Sequence, residues 1–135
     1  MNEWAGEEEK APGARPTADK LRKVFHRTFW NGKYYISPGY QGKPDDRAQA
    51  LAVVSGVLPK ELYPVIRPFF STWYHASPYM EKYVLEALCT MGYYQDALNR
   101  MKLRYRVMIE SPLTTLWEGW GIGSEGFGGG TYNHA

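Results

Sequence analysis

Glu118 has the most chemically loaded setting in the chain. It stands in the run Thr114-Thr115-Leu116-Trp117-Glu118-Gly119-Trp120, at the mouth of a glycine-rich stretch that extends to Gly130. A carboxylate in an apolar wall loses solvation, which disfavours its anion and raises its proton affinity. A general base that takes a proton from water benefits from that property. The flanking indoles of Trp117 and Trp120 offer flat apolar faces on which a sugar ring can stack. The plainer alternative is a surface glutamate in a loop beside two core tryptophans. His134 follows across the glycine-rich stretch. A loop of that composition can fold back and turn Glu118 and His134 toward one cleft, and the alternative for His134 is a structural histidine.

Other chemistry is thinner. Asp45-Asp46 is an acidic pair at a helix start, which capping explains. His26 and His75 are isolated, and no second His or Cys falls at ligand spacing, so no metal site is expected. Gly119-x-Gly121-x-Gly123 follows no strand signal and no Gly-Lys-Ser/Thr occurs, so no phosphate loop and no cofactor are expected. Cys89 is the one cysteine. It has no internal disulfide partner, and its apolar-periodic surroundings predict a buried structural thiol. The compartment stays open.

These residues must be positioned by helices. Thr17 caps a helix whose Leu21, Val24, Phe25, Thr28 and Phe29 share a face, and Asn31-Gly32 ends it in a turn that Lys33 to Ile36 can pair across. Asp45 or Asp46 starts a second helix, about Arg47 to Ser55, stopped by Gly56 and buried on most sides. Pro59 opens a short helix that Pro64 and Pro68 interrupt. Ser77-Pro78 starts a helix with a stripe of Tyr79, Met80, Tyr83, Val84, Ala87, Leu88 and Met91, ended by Gly92. A further helix, about Tyr94 to Ile109, turns Ala97, Leu98, Met101, Tyr105, Met108 and Ile109 inward. Those last two helices form an αα-hairpin.

At 135 residues the chain is one domain or less. Sixteen basic against 14 acidic residues, a net +2, argue against nucleic acid or an anionic membrane as partner. No apolar run approaches the ~18 residues that would span a bilayer. The acidic Met1–Lys10 segment lacks the apolar stretch of a signal peptide. Aromatic residues make up 16% of the chain, enough for both a dense core and a sugar platform.

Four segments, in order, resemble motifs of bacterial α-L-rhamnosidases. They are Asp45-Asp46-Arg47-Ala48-Gln49-Ala50-Leu51-Ala52, Ala76 to Leu88, Thr114 to Trp120, and Tyr132-Asn133-His134-Ala135, and the Phe29-Trp30-Asn31-Gly32 turn is also similar. The resemblance covers roughly residues 18 to 135, and the Trp-Glu-x-Trp and Asn-His-Ala pieces are its most specific parts. It implies an all-α fold of helix hairpins forming part of an (α/α)6 toroid, to which the Asn31-Gly32 turn signal adds a short β-hairpin near residues 29-36. Residues 1-16 would be a polar tail and 17-135 a partial glycosidase domain, cut off before the ring is complete; Asn133, reading as the cap of a helix that does not follow, points the same way. The implied reaction is inverting hydrolysis of terminal α-L-rhamnosyl groups, which uses an acid and a base about 6.5–9.5 Å apart. Glu118 matches the family's general base and His134 its sugar-contacting histidine, with Trp117 and Trp120 as pocket walls. The family's acid motif lies upstream and has no counterpart in residues 1 to 45, so the implied partners are rhamnose-containing glycans and the rest of the catalytic domain. Two other readings stand beside this one: a non-catalytic helical carbohydrate-binding piece, and a six-hairpin glycosidase for a different sugar.

Overall fold

The computed structural model describes residues 14–121. These are mostly helical, with five α-helices and no strand among them, so the described fold is all-α. Helix α1 is Ala14–Phe29, α2 Asp46–Val54, α3 Tyr63–Ile66, α4 Pro78–Thr90 and α5 Tyr94–Ile109. Two 3₁₀ turns, Lys60–Leu62 and Arg67–Ser71, flank α3. Pro64 and Pro68 remove backbone donors from that stretch, which is why it breaks into short pieces.

Helix ends follow local rules. The Asp45 carboxylate accepts from the Arg47 backbone N–H at 2.8 Å, and Ser77 Oγ accepts from that of Met80 at 3.3 Å, with Pro78 at the first helical position. Gly56 and Gly92 take φ of +68° and +84° just past α2 and α4, a region closed to most side chains. The following N–H groups then reach back three carbonyls from the helix end, Val57 to Ala52 and Tyr93 to Leu88, both at 2.9 Å.

α4 is central, packing against α2 on one side and α5 on the other. Alanines 50, 52, 87 and 97 let the three helices approach closely, and Val53, Leu58, Ile66, Phe69, Phe70, Val84 and Leu88 fill the space between. The expected inward stripes are only partly used. In α5 the buried positions are Ala97, Arg100 and Met108, while Leu98 and Met101 are exposed and Ile109 is 78% exposed. The helix is turned so that a charged residue, Arg100, takes the core position. Leu51 and Tyr79 are exposed, and so is Cys89, which corrects the expected buried thiol.

α1 also departs from expectation. Leu21, Val24 and Phe25 are exposed, and the helix docks mainly through its C-terminal end, where Phe25, His26 and the following Trp30 make ring contacts with Tyr35. Its charge is uneven: Arg15, Lys20, Arg22, Lys23 and Arg27 face a single acid, Asp19. The near-neutral balance of the whole chain hides that local basicity. No described helix is long and apolar enough to cross a membrane.

The 29–36 segment holds one antiparallel bridge, Trp30 to Tyr35, rather than two strands. Asn31 Oδ1 closes the turn by accepting from the N–H groups of Lys33 and Tyr34 at 3.0 and 2.9 Å. Buried Gln49, on α2, occupies the outer edge: its Oε1 accepts from Tyr35 N–H at 2.8 Å and its Nε2 donates to Tyr35 C=O at 2.9 Å. One side-chain amide thus satisfies the backbone groups that a further strand would have paired. Gln49 Nε2 also donates to Asp45 C=O at 3.0 Å, so the turn is tied to the start of α2.

Two outcomes follow from these ties. Gln49→Ala strands buried backbone groups, and unfolding in urea should register a loss of about 2–4 kcal/mol, at or above the usual cost of an unmade buried hydrogen bond. Burial pushes the Tyr35 hydroxyl up from 10.0 to about 12. The unfolded chain therefore releases that proton first as pH rises. Stability from this group is intact below pH 10 and is lost between 10 and 12, at up to about 1.4 kcal/mol per pH unit. Denaturation midpoints followed through that window should fall less steeply for Tyr35→Phe than for the parent.

Candidate functional site

The site is built on a buried guanidinium. Arginine carries five donors in a fixed plane and keeps its charge. Arg100, 3% exposed, places all five. Nε donates to Glu81 Oε1 at 2.5 Å, and Nη2 donates to Glu81 Oε2 at 3.0 Å and to Asp46 Oδ2 at 2.6 Å. Nη1 donates to the carbonyls of Phe70 and Trp73 at 2.6 and 2.9 Å. Burial alone would make the Arg100 guanidinium easier to deprotonate, but the hydrogen bonds and charges of Glu81 and Asp46 outweigh it and hold the cation more firmly than usual.

The partners come from different elements. Asp46 is the first residue of α2, Glu81 lies in the first turn of α4, and both are fully buried. The N-terminal ends of α2 and α4 therefore meet at one cation on α5. Asp46 Oδ1 also accepts from the His75 backbone N–H at 3.1 Å. Through Phe70, Trp73 and His75, the knot fixes the backbone of the connection between α3 and α4.

A second arginine carries this order to the Glu118 segment. Arg104 Nε sits 3.5 Å from Glu81 Oε2, and its Nη2 donates to the Ala76 carbonyl at 2.5 Å. Burial, together with the neighbouring Arg100 charge, lowers the pKa of the Arg104 guanidinium, against the pull of Glu81 and Asp46. The Ala76 carbonyl also accepts from Trp120 Nε1 at 2.6 Å. The Arg104 guanidinium lies 4.0 Å from the centre of the Trp120 ring and 5.4 Å from that of Tyr74. Tyr105 meets Trp120 edge-on at 5.2 Å and anchors its own hydroxyl on the Pro78 carbonyl at 2.9 Å.

Among the residues expected to act, Trp117 is buried at 5% exposure, Trp120 is half-buried, and Glu118 between them is exposed. The partly desolvated setting expected for Glu118 is not supplied by the described residues, because the indoles on either side turn inward and leave the carboxylate outside. The Trp117 indole N–H is buried without a hydrogen-bond acceptor among the described residues. His134, and the glycine-rich stretch beyond Gly121, lie outside the described residues.

Sequence reasoning missed Arg100, Glu81 and Arg104. It assigned Asp45-Asp46 to capping, which holds for Asp45; Asp46 is instead the buried counter-ion of Arg100. The available signal was position: Ala97, Arg100, Arg104 and Met108 fall on one helical face, so charges occupy core positions.

Asp45, Asp46 and His75 bring ligand-type atoms within 4.8 Å of one another. Both carboxylates already face arginines, Asp45 on Arg47 and Asp46 on Arg100, which suits a metal cation poorly. A cleft of about 150 Å³ lies directly against Arg100, between Arg67, Tyr74, Asp96, Asn99 and Leu103. Arg67 closes its rim by pairing with Asp96 at 2.7 Å. Compared with protein-family models, curated proteins and solved structures, the chain gives no significant match.

Replacing Arg100 with Met leaves Asp46 and Glu81 buried without their shared cation. Removing one partner of a buried pair typically costs about 3–5 kcal/mol. Calorimetry should show that loss for Arg100→Met, and a similar one for Glu81→Gln.

Proposed function

We propose that this chain is part of the helical catalytic domain of an inverting α-L-rhamnosidase-like glycoside hydrolase, with Glu118 as the general base. What supports the reading is the pair of anchored indoles at 117 and 120 with a carboxylate between them. The walls that hold a sugar ring must be fixed and apolar, which both indoles are. The same segment bears the most specific of the motifs that resemble the family.

The helix arrangement supports the ring expected for that family. Successive hairpins of an (α/α)6 toroid place like helices side by side, and here α2 and α4 begin at the same end while α5 returns as the hairpin partner of α4. The apolar residues left outward on α1 and α5 are the kind of face that further helices of such a ring would cover. In this reading rhamnose lies against Trp117 and Trp120, Glu118 takes a proton from the attacking water, and His134 contacts the sugar. The general acid comes from a part of the domain that this chain does not supply.

Saturation-transfer NMR with L-rhamnose tests the pocket. Binding should be saturable, weakened at least about tenfold by Trp120→Ala through loss of the stacking surface, and largely kept by Glu118→Gln. The chain alone should release no aglycone from an aryl α-L-rhamnoside. A chain that ignores rhamnose as it ignores an unrelated hexose would overturn the proposal. Turnover abolished by Glu118→Gln would show instead that the chain holds its own acid.

A further inference from the structure

We infer that Arg104 is a positioning residue: it fixes the Trp120 indole and, through it, the Glu118 carboxylate two residues back. What the indole is used for rests on the rhamnosidase reading; the clamp itself stands on geometry. Residues 114–121 form no helix or strand, and Gly119 and Gly121 flank Trp120, so the backbone supplies little stiffness of its own. Side-chain ties must hold the ring. The Ala76 carbonyl, in a fully buried residue, accepts from both Trp120 Nε1 and Arg104 Nη2, and the guanidinium lies 4.0 Å from the indole centre. Trp120 is thus held at its edge by a carbonyl and across its face by a cation, and Arg104 makes both the second bond to that carbonyl and the stack.

A simpler role for Arg104 would be counter-ion to Glu81. Glu81, however, already receives two hydrogen bonds from Arg100, at 2.5 and 3.0 Å. Arg104 Nε stops at 3.5 Å and makes no hydrogen bond among the described residues. Its short bond goes to Ala76. Arginine suits the place because its planar head can stack and donate at once, which a lysine ammonium cannot. Trp117, buried on the other side of Glu118, gives the second anchor, so the carboxylate projects from a short span fixed at both ends.

Exchange of indole N–H protons in the ¹⁵N-labelled chain tests the clamp, with Trp30, far along the chain beside Tyr35, as internal reference. In Arg104→Lys and Arg104→Met, exchange at Trp120 should speed up at least about tenfold while Trp30 stays within about twofold, as expected of local rather than global opening. Rhamnose affinity should fall with it. If Arg104→Met fails to fold, Arg104→Lys decides, because it keeps a cation beside Glu81 and removes the flat head that stacks on the indole and bonds the Ala76 carbonyl. An unchanged Trp120 rate in Arg104→Lys overturns the clamp, as does equal acceleration of all indoles, which marks a general stability role. Faster Trp120 exchange in a chain that never binds rhamnose upholds the clamp and discards the sugar reading.

Discussion

The described structure turns on the burial of one permanent charge. Arg100 cannot shed its proton, so each of its five donors needs a partner inside the protein, and the surrounding elements lie where those partners must be. Asp46 brings the start of α2, Glu81 the start of α4, and the carbonyls of Phe70 and Trp73 the connection between them. A buried ion pair of this kind adds little net stability over a well-packed apolar equivalent, because desolvation offsets most of the attraction. Its consequence is geometric. Any slip of α2 against α4 leaves a carboxylate or a donor unpaired, whereas sliding one alanine face over another would cost far less.

Order then passes outward in steps of decreasing burial. Arg100 and Glu81 are closed off from solvent, Arg104 is mostly so, Trp120 is half-buried and Glu118 is exposed. Each step is a short polar contact or a ring stack. Gln49 plays a comparable part in the same first turn of α2, where a single amide holds the 29–36 turn in place. Buried polar side chains therefore set the start of this helix toward two neighbours at once, and apolar packing fills the space beyond.

This division explains what was legible in the residues alone. Helix ends obey rules with a reach of a few residues, so Ser77-Pro78, Gly56, Gly92 and Asp45 announced theirs correctly. Arg100 and its partners are separated by 54 and 19 positions, and within α5 Arg100 sits among Lys102, Arg104 and Arg106, a run that looks like a solvated face. Periodicity went astray in the same helix because apolar residues occur on more than one side of it. With two apolar faces to choose from, the sequence alone does not say which one the protein covers. Leu98, Met101 and Ile109 lost to a face bearing Ala97, Arg100 and Met108, since small and hydrogen-bonded residues allow α4 to come close. Glu118 was picked out from its neighbours, but its exposure was not, because whether an indole faces in or out depends on the Ala76 carbonyl 44 residues earlier.

The exposure of Glu118 also bears on how such a carboxylate could work. A desolvated acid gains proton affinity but must be reached by water through an apolar wall. An exposed one has water at hand and must gain its advantage from orientation, which requires a fixed backbone on both sides. Trp117 and Trp120 supply that fixity without enclosing the carboxylate. On the proposed reading, enclosure of Glu118 would have to come from groups other than the described residues, while Trp117 and the Arg104-held Trp120 fix the span that carries the carboxylate.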